Sequence, residues 1–320
     1  MIQWGINALN RGSSLAVFKD GEFVGDIINL ERDELSPDMY RRFIEQYGTP
    51  DRIYWYEDPW FKKARQVYAK QYKTAMDMSV LPTRKLKQWG LGYAPVTYTP
   101  HHASHAAAGY YTSPFNHCAI VVLDTVGEFD CATIWEGSHG EMKKVWSARY
   151  PHSLGMFYSA FTQFFGLVPN RDEHILEQMA AQGNPKRFRS SVDLYIGSGS
   201  PIKFNYNFHR GIHNWSNELM TMQEQCDLAA AVQERFERQV ASVMYKAKDL
   251  TGADCLVYMG DCAKNTTANK FALSTGKFDY VWSLPDPGDT SSAMGAVLYH
   301  TQQRVCRDTW APVKHIEIKV

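Results

Sequence analysis

The sequence lacks a long apolar run, an excess of charge and a paired cysteine motif. No stretch of about 18 apolar residues occurs, so no membrane-spanning helix is predicted, and the first residues lack the charged-then-apolar pattern of a secretion signal. The 34 basic residues balance the 34 acidic ones, which excludes a uniformly charged nucleic-acid- or membrane-binding protein. The six cysteines show no CxxC spacing, and we therefore expect free thiols in a reducing cytosol.

Apolar residues are plentiful, at 44% of 320 positions, which is enough for one large or two modest cores. Their spacing predicts three strands with an Asp20-Gly21 turn, then helices and strands in alternation, and the same order begins again at Cys118. This duplicated α/β order predicts two lobes that face a central cleft, where ligands bind. We place the first lobe at 1–116 and the second at 117–320, with a helical and loop insertion at about 151–250.

The segment after Pro100 is rich in histidine and alanine. On a helix, His101 and His105 are four residues apart and leave the same face, as in helices that give a metal two nitrogen ligands. The spacing alone fits an incidental helix start equally well. Asp124 ends an apolar strand, and Asp289 stands at another strand-to-helix junction, where a helix cap is the alternative role. Two histidines and two carboxylates suit Fe(II), Mn(II) or Zn(II).

Six sequence blocks, in a fixed order along almost the whole chain, resemble the nodulation and antibiotic O-carbamoyltransferases, which are relatives of the tRNA threonylcarbamoyl transferase. The resemblance implies an α/β fold of two actin-like (RNase H-like) lobes around a cleft. The blocks are Gly5-Ile6-Asn7, His101-His102-Ala103-Ser104-His105-Ala106, Leu123 to Glu128, Ser153-Leu154-Gly155 with Tyr158 to Thr162, Gly260 to Asn265 with Asn269, and Gly288-Asp289 with Ala293 to Ala296.

The resemblance also implies an activity, the metal-dependent transfer of a carbamoyl group from carbamoyl phosphate, through carbamoyl-adenylate, to an acceptor hydroxyl. His102 and Asp124 are the catalytic candidates, and a packing or capping role competes for His102. Glycines and helix N-termini suit a phosphate site. The implied metal ligands, with Fe(II) as the first choice of ion, are His101, His105, Asp124 and Asp289. The implied ATP or carbamoyl-adenylate site contains Gly127, Ser153, Leu154, Gly155, Gly260 and Asn265.

The chain departs from the family pattern at several positions. Asn10-Arg11 stand where the family has His-Asp, and Ile175 and Gln178 replace a lysine and a glycine. We therefore expect a nucleotide or acceptor contact to differ. Family members normally continue into an adenylate-forming domain. We expect that domain to be absent here, so that a separate protein supplies the adenylate or this chain makes it alone.

Two basic and aromatic segments bear on the acceptor. Residues 60–93 contain eight basic side chains against the single acidic Asp77, and residues 186–210 contain a second cluster. Basic groups track phosphates and aromatic faces stack bases, which favours a nucleotide or a hydroxymethylated pyrimidine in DNA, as in phage nucleobase modification. A solvated helix face with core aromatics is the stronger alternative for both segments.

Three other functions compete with O-carbamoyl transfer. One is tRNA threonylcarbamoyl transfer, which the His101-His102 pair and the Ser153-Leu154-Gly155 block fit less well. Another is a kinase of the same fold, which needs no paired histidines and is therefore distinguished by tight metal binding. The last is a non-catalytic nucleotide-binding subunit, which would bind nucleotide without transferring a carbamoyl group.

Overall fold

The structure, a computed structural model, describes residues 1–10, 12–199, 201–212 and 220–305. Arg11 and Cys306, which the sequence predictions name, lie outside the described residues. Within the described ranges, no helix is long and apolar enough to cross a membrane. The five cysteines in these ranges are free thiols.

The first sheet has five strands in the order β3-β2-β1-β4-β5. Strand β1 pairs antiparallel with β2 and parallel with β4. Asp20 and Gly21 form the predicted turn, and both have positive φ (51° and 88°), as two-residue hairpins favour. The strands are β1 (Ile2–Asn7), β2 (Ser13–Lys19), β3 (Glu22–Asn29), β4 (Arg52–Trp55) and β5 (Val96–Tyr98).

The second sheet repeats the same plan, in the order β8-β7-β6-β9-β10. Its first strand again pairs antiparallel with the next strand in the chain and parallel with the later one. The shared order and strand direction confirm the predicted duplication. The strands are β6 (His117–Leu123), β7 (Asp130–Ser138), β8 (Glu141–Arg149), β9 (Cys255–Met259) and β10 (Tyr280–Trp282).

Helices cover and join the two sheets. The first-lobe helices are α1 (Pro37–Tyr47), α2 (Pro59–Tyr68), α3 (Tyr72–Met76), α4 (Pro82–Gln88) and α5 (His101–Thr112). The others are α6 (Leu154–Phe164), α7 (Glu173–Ala180), α8 (Arg189–Asp193), α9 (Met222–Thr251), α10 (Thr266–Leu273) and α11 (Ser292–Thr301). The longest helix, α9, begins at a capping box of Thr221 and Glu224 and ends at Gly252 in the left-handed conformation.

Helices α5 and α11 form a buried layer between the sheets. Every residue of α5 is buried, as expected of a helix with partners on all sides. Glycines allow the close approach, since a Cβ at Gly295 of α11 would lie 1.8 Å from the Ser104 carbonyl oxygen of α5, and a Cβ at Gly5 of β1 would lie 1.7 Å from the Ala293 carbonyl oxygen. Because α11 packs on β1, the chain returns to the first sheet near its end. The domain division at 116/117 stays a prediction.

Candidate active site

Four side chains converge where the buried helix layer meets the second sheet. His101 and His105 come from the first two turns of α5, Asp124 directly follows β6, and Asp289 begins a short 3-10 turn ahead of α11. His101 Nε2 lies 2.7 Å from an Asp124 carboxylate oxygen, and His105 Nε2 lies 3.3 Å from an Asp289 oxygen. The two Nε2 atoms are 3.1 Å apart. All four residues are buried, with at most 4% of their surface exposed.

The donor set fits a divalent metal ion. One donor atom from each of the four residues lies within 4.8 Å of the other three, and the distances between neighbouring donor atoms lie between 2.7 and 3.5 Å. Ligand atoms around a four-coordinate ion are roughly 3.4 Å apart if each lies about 2.1 Å from the metal. Imidazole nitrogens and carboxylate oxygens are a set that Fe, Mn and Zn accept.

The electrostatics of the cluster agree with a site for two positive charges. Burial opposes ionisation of the two histidines, but hydrogen bonds with the two carboxylates outweigh this effect. The pKa of His101 is therefore raised well above its usual value, and the pKa of His105 is also raised. Burial would likewise raise the carboxylate pKa values, but hydrogen bonds with the imidazoles hold the pKa of Asp124 well below its usual value and that of Asp289 below it. The carboxylates therefore favour positive charge on the imidazoles, and a divalent ion would supply such a charge.

Two further residues hold the ligands in place. Asn10 Nδ2 donates to Asp289 Oδ2 at 2.6 Å, so the position predicted as a family departure contacts a candidate metal ligand. Glu128 Oε1 accepts from the backbone amides of His101 (3.0 Å) and Asp58 (2.8 Å), which ties α5 to the start of α2. Sequence reasoning identified Glu128 only as part of a block, because its partners lie 27 and 70 positions away in the chain.

The imidazole rings are oriented by packing on the other side. Nδ1 of His101 and Nδ1 of His105 are buried without a hydrogen-bond partner. The ring of Tyr56, which is fully buried, lies edge-on to the His101 ring at a centroid distance of 5.5 Å. Ring packing, and not a second hydrogen bond, therefore directs the Nε2 atom of His101 toward the carboxylates.

His102 lies outside this cluster of donor atoms. Its Nδ1 is 3.0 Å from the Thr133 hydroxyl, and its Nε2 is buried without a partner. Burial, with a smaller contribution from the neighbouring His101, lowers the pKa of His102 to about 3, so the ring is neutral at physiological pH. Its role as a catalytic base stays a prediction.

A cavity of about 300 Å³ lies beside the cluster and has walls from both lobes. Thr125 and Thr290, the residues that directly follow Asp124 and Asp289, are part of its lining. Of the predicted nucleotide-site residues, Gly155 and Asn265 line it. The other lining residues are Gly12, Leu30, Tyr158, Ser159, Asn170, Arg171, Glu173, His174, Glu177, Phe236, Asp261, Cys262 and Lys264.

The other predicted residues of the nucleotide site do not line this cavity, and they pack in the segments around it. Ser153 caps α6 by accepting from the Met156 amide at 3.0 Å, and the following Leu154 is buried in the second-lobe core. Gly127 lies against the rings of His101 and His102, where a Cβ would be 3.0 Å from each. Gly260 has a φ of 97°, and a Cβ there would lie 2.2 Å from the Leu123 carbonyl oxygen, so a larger side chain would strain the strand end that carries Asp124.

Some of the basic side chains in these two segments form ion pairs within the chain. In the first, Lys62 pairs with Glu57 at 2.7 Å and Lys85 with Glu34 at 2.6 Å. In the second, Arg189 pairs with Glu234 at 2.8 Å. These pairs favour the alternative of structural charges over a phosphate-tracking surface.

The duplicated lobes and the interlobe cavity define an α/β protein of the two-lobed actin-like class. A family model described as the N-terminus of carbamoyltransferases matches residues 58–298. The chain belongs to this carbamoyltransferase family.

The chain is also similar in sequence to curated proteins and in fold to a solved structure. The chain is 30% identical over 222 residues to protein sll1178 of Synechocystis sp. (64% of this chain, 36% of that one) and 28% identical over 210 residues to nodulation protein NolNO of Sinorhizobium fredii (63% and 31%). It thus spans about a third of the length of these relatives. An activator of 2-hydroxyisocaproyl-CoA dehydratase from Clostridium difficile, solved with bound ADPNP, shares the fold, with a TM-score of 0.50 at 12% identity over 94% of this chain and 96% of that one.

Proposed function

We propose that this chain transfers a carbamoyl group to an acceptor hydroxyl at a divalent metal held by His101, His105, Asp124 and Asp289. The observation that carries the proposal is the shared wall of the two sites. Thr125 and Thr290, next in sequence to two of the ligands, line the interlobe cavity. A group bound in that cavity therefore lies beside the cluster of donor atoms.

The cavity suits an adenine nucleotide. Tyr158 and Phe236 offer apolar surface, and Lys264 offers a cation. Burial opposes the charge on Lys264, but Asp261 and Asp286 outweigh it and raise its pKa, so the ammonium is retained at physiological pH. A solved structure of this fold contains ADPNP. The proposed donor is carbamoyl-adenylate, made from carbamoyl phosphate and ATP by this chain or by another protein.

Each group at the site would then have its own role in carbamoyl transfer. A bound divalent ion would supply Lewis-acid polarisation of the carbamoyl oxygen. Gly155 would keep α6 packed closely on Thr125 in the cavity wall, because a Cβ there would lie 2.7 Å from the Thr125 Cα. Lys264 would balance the negative charge of the departing AMP. Asn10 would keep Asp289 in place through its 2.6 Å hydrogen bond.

A transfer assay tests the proposal directly. Purified protein with Mn(II) or Fe(II) would receive preformed carbamoyl-adenylate, or ATP with carbamoyl phosphate, and a panel of hydroxymethylated nucleotides, DNA and sugars. Mass spectrometry should show the gain of one carbamoyl group on an acceptor, and this gain should disappear with metal chelation. Hydrolysis of carbamoyl-adenylate at the rate without protein, and no modified acceptor, would contradict the proposal.

The nucleotide part has its own prediction. Lys264→Met should weaken ADP binding about tenfold, because it removes a charge-assisted contact and leaves Asp261 and Asp286 without this cation beside the anion. Isothermal titration calorimetry measures the change. Lys270→Met on α10 removes an exposed lysine that does not line the cavity, and it should bind ADP as the parent protein does. If the parent protein and both variants bind ADP with equal affinity, the phosphates of ADP do not contact Lys264.

A further inference from the structure

Arg65 of α2 is buried, with 7% of its surface exposed. Its Nε is buried without a partner, and its single hydrogen bond among the described residues runs from Nη1 to Gln71 Oε1 at 3.2 Å. No carboxylate of the described ranges forms an ion pair with it. A buried charge without an ion-pair partner is costly. Glu57 acts on Arg65 only through space, because its carboxylate pairs with Lys62 of the same helix at 2.7 Å.

The surroundings of Arg65 join the two lobes. Gln71 Nε2 lies 2.8 Å from Nε2 of His209, which belongs to the insertion of the second lobe. Nδ1 of His209 is also buried without a partner. The rings of His209 and Tyr68 both stand edge-on to the ring of Tyr150. The centroid distance to Tyr150 is 5.6 Å for His209 and 6.0 Å for Tyr68 of α2. We call these five residues the Arg65 cluster.

The Arg65 cluster is connected to His101 indirectly, through Phe129 and Glu128, and does not line the nucleotide cavity. Tyr68 also contacts Phe129 (6.3 Å between centroids), the neighbour of Glu128, whose carboxylate holds the backbone amide of His101. None of the five residues is part of the cavity lining. A compound bound at the cluster would therefore occupy a position separate from the nucleotide cavity.

We propose that the Arg65 cluster binds an oxyanion of the acceptor, a phosphate or carboxylate carried by the compound whose hydroxyl receives the carbamoyl group. The proposal rests on the proposed function and names its substrate class. A guanidinium offers a planar pair of donors that matches either oxyanion. The unpartnered imidazole nitrogen of His209 would offer a further polar contact, and the anion would give the guanidinium the ion-pair partner that the described residues do not supply.

Calorimetry on protein saturated with AMP separates this subsite from the nucleotide cavity. Methyl phosphate and acetate are the two probes. Binding of methyl phosphate indicates that the acceptor carries a phosphate, and binding of acetate indicates a carboxylate. We expect Arg65→Met to weaken that binding at least tenfold and Arg65→Lys to weaken it less, because lysine keeps the charge without the planar fork. Lys73→Met, which removes an exposed cation of the neighbouring α3, should leave it unchanged.

Thermal unfolding distinguishes a binding role from a structural one. If Arg65 is kept for a ligand, Arg65→Met removes an uncompensated buried charge, and its melting temperature should equal or exceed that of the parent protein. No binding of either probe, binding that Arg65→Met and Arg65→Lys leave intact, or displacement of the probe by AMP would each overturn the inference.

The outcome is separable from that of the transfer proposal. Probe binding requires no metal, so His105→Ala should bind the probe as the parent protein does. If the protein transfers a carbamoyl group but shows no Arg65-dependent binding of a probe, only the proposed oxyanion subsite is wrong. If it binds a probe through Arg65 but transfers no carbamoyl group, only the proposed activity is wrong.

Discussion

Replacing His105 with alanine should weaken the binding of Mn(II) or Fe(II) by at least about 100-fold and abolish metal-dependent transfer, since loss of an outer-shell partner alone costs about 10–100-fold. Its Nε2 lies 3.1 Å from that of His101 and 3.3 Å from an Asp289 oxygen, so alanine removes one of four converging donors. The side chain is fully buried, and no other imidazole of the described cluster can take its place.

Metal titration by calorimetry, with elemental analysis of the purified protein, measures the effect. His117→Ala is the matched control, because that histidine lies on the surface at 47% exposure and faces Glu136. It should retain the parent affinity. If His105→Ala binds metal as tightly as His117→Ala does, the four residues are not the metal site, and the buried ion pairs would be structural.

Local pattern predicted the duplicated α/β order and indicated the four converging residues, and the family resemblance was needed to choose the metal-binding role among the alternatives. The hairpin needed only the Asp20-Gly21 turn between two strand-like runs, and the second sheet restarted visibly at Cys118. His101 and His105 were predictable as a pair because helix geometry fixes residues four apart on one face. Asp124 was found directly after an apolar strand and Asp289 at a strand-to-helix junction, because residues beyond the carboxyl ends of parallel strands lie at a cleft.

Contacts between distant segments were beyond sequence reasoning. Asn10 and Asp289 are 279 positions apart, yet they share a 2.6 Å hydrogen bond. Two lysines of the basic segment at 60–93 have acidic partners, Glu57 and Glu34, that lie outside the segment. These ion pairs, and the absence of one at Arg65 among the described residues, are visible only in the structure.

Gly295→Ala should destabilise the fold and weaken metal binding together. A Cβ at this position would lie 1.8 Å from the Ser104 carbonyl oxygen, which sits on α5 between the two histidines. A backbone carbonyl cannot move aside as the end of a flexible side chain can. The added Cβ therefore forces α5 and α11 apart. The strain, about 1–3 kcal/mol, exceeds the gain of about 1 kcal/mol from alanine in a helix, and the displacement moves His105 away from Asp289.

A fall in melting temperature of roughly 2–8 °C and a weaker affinity for Mn(II) are the two expected readouts. Gly140→Ala provides the control, because that glycine has a φ of 87° and no atom within 4 Å of the added Cβ. It should cost only the conformational strain of about 1–2 kcal/mol and leave Mn(II) affinity unchanged. Weaker metal binding by Gly295→Ala alone would show that the contact between α5 and α11 positions the ligands. Equal Mn(II) affinity in both variants would mean that the ligand cluster tolerates separation of the two helices.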